Sequence, residues 1–427
     1  VALGGGLLSL SLPRASAPWL AYVGLVPLLL WCRRVSGVRS LWLGWICGFS
    51  FFLPVFYWIG LVMERYAGLT RPLSVVMVLL LTAYLACYPA LFATLASFVN
   101  RRSPAWYWAA VPFLWVGVEM LRAHAVFGGF PWAELAYSQT PWPLMIQSAD
   151  VLGAAGVNFL IVLCSAAVGV ALERWWQESA GARQGSGNAL TRLRLCATEP
   201  LVIGAAVLVL LNLGYGWRQW RAYAPELSDG SANNAAGLQV ALLQGSIDQG
   251  QKWDPAFRAA TMNIYAALSR QALGDGASLI VWPETALPIN FAQPSATRQQ
   301  FIDLVRSTGT YTVVGVPTVE KRQGSPRAYN SAYLISPNGA VVGRYDKQHL
   351  VPFGEYVPMS RLLSFAKKLT AGVGDFTPGR DAALMSVPGG RFAVLICFEI
   401  IFPELARRAA REGTEWFLNL TNDAWFG

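Results

Sequence analysis

Long apolar runs fill the first half of the chain, and short ones separated by polar turns fill the second. Crossing a hydrocarbon core takes roughly 17 to 25 mostly apolar residues. Such runs fall at about 18–32, 41–62, 73–98, 105–121, 152–172 and 200–216, with 1–13 as a shortened first helix, so about seven membrane helices are expected. From Leu238 the period changes. LQVALLQ (238–244), SLIVW (278–282), YTVVGV (311–316), YNSAYLIS (329–336), AVVGRY (340–345) and RFAVLIC (391–397) read as strands, and SPNG (336–339) reads as a hairpin turn. Helical patterns lie near 255–273, 295–308 and 403–412, the first opened by Asp254-Pro255. Strands alternating with helices predict an α/β domain. The expected order is a transmembrane bundle over 1–217, a linker over 218–237 and a soluble domain over 238–427.

Composition agrees with that division. Hydrophobic residues make up 54% of the 427 and charged ones 13%, about half the charged share of an ordinary soluble domain. Residues 1–217 hold 13 Arg, no Lys and 7 acids. Lys and Arg in short loops are retained on the cytoplasmic side. Alternate loops carry nine arginines (Arg33, Arg34, Arg39, Arg101, Arg102, Arg174, Arg183, Arg192, Arg194) against four (Arg14, Arg65, Arg71, Arg122). The N-terminus is therefore expected inside and everything after the seventh helix outside. The net charge of +9 sits in these loops instead of a continuous stripe, which argues against nucleic-acid binding.

Trp19, Tyr57, Trp58, Trp106, Trp108, Trp217 and Trp220 stand at span edges, where aromatic rings anchor in the interface. The aromatic segment 127–144 is open to two readings, a lipid entrance beside the soluble domain or a re-entrant connector. Residues 177–199, rich in Gly, Ser and Arg, read as a flexible cytoplasmic loop. The apolar opening stretch allows a cleaved signal peptide, although no basic segment precedes it.

Five of the six cysteines belong to the membrane half, and Cys397 is alone in the soluble one. Cysteines outside the cytoplasm usually pair, so a solitary one is either a small buried hydrophobe or a reactive thiol. Phe398, Glu399 and a helix-opening FPE follow it, placing the sulfur at a strand-to-helix turn. Of the two histidines, His124 lies beside a membrane helix, which leaves His349 as the one partner for a Cys–His pair. No CxxC or HxxxH spacing points to a metal. Reactive groups in α/β sheets gather where strands end: Glu284 follows SLIVWP, Lys347 lies two residues beyond AVVGRY, and Cys397 closes RFAVLIC. Each alone reads equally as a solvated acid, a surface cation or a core thiol.

Taken together, IVWPETALP (280–288), GRYDKQHLVPFGEYVP (343–358) and VLICFEIIFPE (394–404) resemble the nitrilase superfamily, whose Glu-Lys-Cys triad they match in order and spacing. With the helix bundle in front, the chain resembles the bacterial apolipoprotein N-acyltransferase family over nearly its whole length. The resemblance implies a multi-pass α-helical membrane bundle carrying an α-β-β-α sandwich. It further implies Glu284 as general base, Lys347 as oxyanion stabiliser and Cys397 as nucleophile, with Glu355, Phe398 and Glu399 in support and no cofactor. The implied partners are a phospholipid acyl donor and a diacylglyceryl-modified apolipoprotein acceptor. The implied location is the bacterial inner membrane with the catalytic domain periplasmic. It also leads to the expectation of more sandwich and a last membrane helix beyond NLTNDAWFG. Residues 359–378, with Gly372, Gly374 and the pair Lys367-Lys368, are the candidate lid over a water-sensitive thioester. The alternative from the same triad is a membrane-tethered amidase acting on a small C–N substrate. A transport or receptor protein with a degenerate enzyme domain is disfavoured, because Glu119 is the clearest charge within the spans.

Overall fold

The computed structural model describes the chain except residues 67, 127, 182–188, 229–236, 323–324, 353, 357–375, 382 and 427. It divides into two compact units, Val1–Leu61 with Arg71–Ala232, and Val62–Thr70 with Asn233–Gly427.

The first unit is helical: α1 (Ala2–Ser11), α2 (Ala21–Gly24), α3 (Val26–Cys32), α4 (Val38–Tyr66, its last turn in the second unit), α5 (Arg71–Arg102), α6 (Tyr107–His124), α7 (Pro143–Ile146), α8 (Ala149–Gly181), α9 (Ala189–Ala197) and α10 (Pro200–Ser228). Every expected span is helical. Among the described residues α4, α5, α8 and α10 are long and apolar enough to cross a membrane, whereas Ala2–Ser11 and Pro18–Cys32 are apolar but shorter. Phe51, Phe52, Phe56, Phe92, Tyr107 and Trp115 form the centre of the bundle. Its outside is apolar too: Leu80, Leu210 and Leu211 are 60 to 67% exposed, a pattern that water would penalise and lipid accepts.

Three sequence expectations need correction here. The segment 177–199 is not a loop throughout, since α8 runs to Gly181 and α9 begins at Ala189; only 182–188 lie outside the described residues. The linker 218–237 begins as helix, because α10 continues to Ser228. Trp108 is no interfacial anchor: it is buried, edge-on to Tyr107, with its Nε1 donating to Glu173 at 3.2 Å.

The connector after α6 is packed into the bundle, with Ala133 and Leu135 buried. Arg122 donates to the Phe130 and Trp132 carbonyls at 2.6 Å each and pairs with Glu119 at 2.7 Å. Asn158 of α8 accepts from the Ala136 amide at 2.6 Å and donates to Glu134 at 3.0 Å. The charge of Glu119 thus serves to hold backbone that would otherwise be unsatisfied inside the bundle.

The second unit stacks two sheets. In the larger, β1 (Val240–Leu242), β2 (Leu279–Val281) and β3 (Tyr311–Arg322) run parallel, and β4 (Ser325–Ile335) and β5 (Val341–Asp346) continue antiparallel. In the smaller, β6 (Leu384–Val387) pairs antiparallel with β7 (Gly390–Ile396), and β8 (Trp416–Leu420) lies parallel to β7. Alternation along each strand builds the layers. Val281, Val313 and Leu334 meet Phe392, Val394, Ile396 and Leu418 between the sheets. On the other face of the large sheet, Ile280, Trp282 and Val314 pack with Tyr265 and Phe301 from α12 (Arg258–Gly274) and α13 (Ala296–Thr308), which follow the short α11 (Gln249–Lys252). Ala393 and Leu395 point away from the intersheet core yet are buried, so the outer face of the small sheet is covered as well. The last helix, α14 (Pro403–Arg411), turns Leu405 and Ala409 inward. The SPNG turn joins β4 to β5, with the Ser336 amide donating to the Ala340 carbonyl at 2.9 Å.

Candidate active site

Glu284 follows β2 at a turn that only close backbone packing permits. Trp282 anchors the strand end, stacked on Tyr265 at 4.7 Å and donating to Ser269 at 3.1 Å. Thr285 then bends into the left-handed region at φ +50°. Residues 283–285 cross β3 at Gly315, where a Cβ would stand 2.5 Å from the Pro283 carbonyl and 2.7 Å from the Glu284 Cα. The glycine is needed for that approach. The buried carboxylate accepts from Asn330 Nδ2 at 2.8 Å and lies 3.5 Å from Lys347 Nζ.

Asn330 and Lys347 are brought side by side by the β4–β5 register, in which Ser331 pairs with Asp346. The Lys347 amide donates to the Asn330 carbonyl at 2.8 Å. Lys347 is 1% exposed, and its Nζ donates to Glu355 at 3.0 Å. Burial opposes its charge, but Glu355, then Glu284 and the thiol, outweigh that and hold its pKa above the ordinary lysine value. Asn330 Nδ2 also donates to Glu355 at 2.9 Å, so one amide and one ammonium bridge two carboxylates.

Cys397 begins a 3-10 turn (Cys397–Ile401) at the end of β7, itself at φ +54°. Its thiol is hydrogen-bonded to Thr421, just beyond β8. Burial pushes the thiol pKa up to about 12, Glu284 adds to the rise, and Lys347 opposes it. The sulfur is therefore a thiol at neutral pH, with a carboxylate and an ammonium both close enough to act on it.

Glu399 holds this corner together. It is fully buried and accepts from the amides of Ile396 at 2.8 Å, Gln348 at 2.7 Å and His349 at 3.1 Å, and from the Tyr345 hydroxyl at 2.9 Å. Those donors come from both sides of the site, so its role is to tie the Lys347 loop to the Cys397 turn. Burial raises its pKa despite these bonds. Phe398 is buried against Phe402 at 5.0 Å. His349 also stacks on Phe402, at 4.1 Å, with Nε2 3.9 Å from Glu404, and burial lowers its pKa. The candidate lid falls mostly on residues 357–375, outside those described; at its end, Phe376 and Gly379 donate to the carbonyls of Glu355 and Lys347 at 2.8 Å. Among the described residues no cluster of His, Cys, Asp and Glu could hold a metal.

Asn330, Thr421 and Lys252 complete the site without having been expected in it. Lys252, in α11, is buried and donates from Nζ to the Glu284 backbone carbonyl at 2.9 Å. None of the three carries a motif in the sequence.

A thiol, two carboxylates and a buried ammonium on stacked sheets, joined to helices that can cross a membrane, define a membrane-bound enzyme of the carbon–nitrogen hydrolase superfamily. Family profiles agree: carbon-nitrogen hydrolase matches residues 239–427, and the N-terminal domain of apolipoprotein N-acyltransferase matches 4–167. The apolipoprotein N-acyltransferase of Geobacter metallireducens is 41% identical over all of this chain and 77% of its own length. That of Pasteurella multocida is 30% identical over 95% of this chain and 74% of its own. An amidase from Nesterenkonia sp., among solved structures, is 22% identical over 43% of this chain and 65% of its own, with a TM-score of 0.33. The chain belongs to the apolipoprotein N-acyltransferase family and is thus an acyltransferase; the amidase alternative is not favoured.

Proposed function

We propose that Cys397 accepts a fatty acyl chain from a phospholipid and passes it to the α-amine of a diacylglyceryl-cysteine at a lipoprotein N-terminus. The observation that carries this reading is one largely buried thiol that feels the charges of both Glu284 and Lys347, themselves 3.5 Å apart. A thiol lifted to about 12 is not a ready thiolate, so it needs a base at the moment of attack.

In the first half-reaction Sγ bonds to the ester carbonyl carbon while Glu284 takes the thiol proton and Lys347 faces the developing oxyanion. Collapse breaks the C–O bond, and the proton on Glu284 passes to the leaving glycerol oxygen, releasing a lysophospholipid. In the second, the amine nitrogen attacks the thioester, the C–S bond breaks, and Glu284 returns the amine proton to sulfur. Glu355 keeps Lys347 in place, and Glu399 and Phe398 fix the Cys397 turn. Ping-pong kinetics follow from the covalent intermediate. The arginine bias of the loops supports an orientation with the second unit outside the cytoplasm, and membership of the family supports a place in the bacterial inner membrane.

Intact-mass analysis after incubation with phospholipid vesicles tests the assignment. The expected result is one acyl adduct, mapped to Cys397 and lost in Cys397→Ala along with lysophospholipid release. An adduct of equal yield in that variant rejects the reading.

A further inference from the structure

We propose that Lys252 is a positioning residue for the acylation step: clamped on the Glu284 carbonyl, it fixes the Glu284–Thr285 turn and with it the carboxylate proposed as base. This rests on Cys397 being the nucleophile.

Lys252 is 7% exposed. Its Nζ donates to the Glu284 backbone oxygen at 2.9 Å, and among the described ion pairs none engages it. A buried ammonium without a carboxylate partner is costly and calls for a reason. The chain takes trouble to hold it there. Asp248 caps α11 by accepting from the Gly250 amide at 2.8 Å, and Gln249 accepts from Asn422 at 2.7 Å, next to the Thr421 that bonds the thiol. Lys252 is thereby tied to the backbone of the base and, through its neighbour, to the strand end beside the nucleophile.

The two lysines differ in availability. Lys347 is committed to Glu355 at 3.0 Å, with Glu284 beyond it. Lys252 feels Glu284 and Cys397, while burial outweighs both and lowers its pKa to about 8. The charged groups acting on the thiol are Glu284, Lys347 and Glu355, with Thr421 as hydrogen-bond partner, and Lys252 answers to the thiol in turn.

The test uses the full chain in lipid nanodiscs and follows single-turnover formation of the acyl adduct on Cys397 from labelled phospholipid, identified by peptide mass. Lys252→Met is expected to slow adduct formation about tenfold or more, because a general base is worth about 10²–10⁴ in rate only when it is held in position. Lys252→Arg, which can still donate to the Glu284 carbonyl, is expected to restore the rate. Unchanged adduct formation in a folded Met variant overturns the proposal. If that variant does not fold, an Arg variant that folds and still forms adduct more than about tenfold slower overturns it alone. Failure of the underlying reading looks different: the wild type then takes no acyl adduct from phospholipid on Cys397.

Discussion

Replacing Glu284 with Gln separates two things that a thiol site normally couples. The glutamine carbonyl can still accept from Asn330 Nδ2, and Lys347 keeps Glu355 at 3.0 Å, so the packing survives and only charge and basicity go. Glu284 is the largest electrostatic contribution opposing ionisation of Cys397. A close charge moves a pKa by about 1 to 3 units, so the variant thiol should ionise more easily and alkylate with iodoacetamide about tenfold faster or more at neutral pH. Acyl transfer should move the other way. A positioned general base is worth about 10²–10⁴ in rate, or roughly 2.7 to 5.5 kcal/mol of barrier, and glutamine cannot carry the proton to the leaving oxygen. Two assays on one preparation suffice: Cys397 alkylation by peptide mass, and single-turnover acyl-adduct formation from labelled phospholipid. Alkylation and transfer slowed to the same extent would refute the base assignment and make Glu284 a packing residue. Unimpaired transfer would remove it from the mechanism.

Lys347→Met should lower acyl-adduct formation by about 2.7 to 4 kcal/mol of transition-state stabilisation, read in single-turnover rates. It should also destabilise the second unit by about 3 to 5 kcal/mol, read by thermal unfolding, since Glu284 and Glu355 lose their shared counterion in a buried setting. In Glu399→Gln the carboxylate that receives three amides and a hydroxyl becomes an amide with one acceptor oxygen, leaving buried donors unmet at about 1 to 3 kcal/mol each. A lowered melting temperature together with slowed Cys397 alkylation is expected there; an unshifted melt would show that the ties across the corner contribute little.

The legible part of this protein is what repeats or terminates. Seven apolar runs are readable because lipid demands length; all are helical, and among the described residues four form helices long and apolar enough to cross a membrane. Glu284, Lys347 and Cys397 are readable because each ends an apolar strand, where side chains leave the core. β6 and β8 escape notice: the first is four residues long, and WFLNL lies in a polar stretch that ends a helix and opens a turn. Lys252 is hidden for a stronger reason. In QGQKWDP it looks like a solvated cation, and only the tertiary path of the Glu284 backbone supplies the carbonyl that lets it be buried. Trp108 misleads in the opposite sense, since its position at a span edge says anchor while its packing says core. Local pattern reports what an element needs; it does not report which neighbour will meet that need.

The left-handed backbone at Cys397 and at Thr285 sets the proposed nucleophile and the residue after the proposed base in conformations that cost roughly 1 to 2 kcal/mol apiece for a side chain with a Cβ. Glycine at either place would relieve that torsion, at a cost in backbone entropy and in the packing of a largely buried side chain. Screens for heat resistance that alter those two torsions therefore act at the proposed reacting groups themselves, where gained stability and lost chemistry go together.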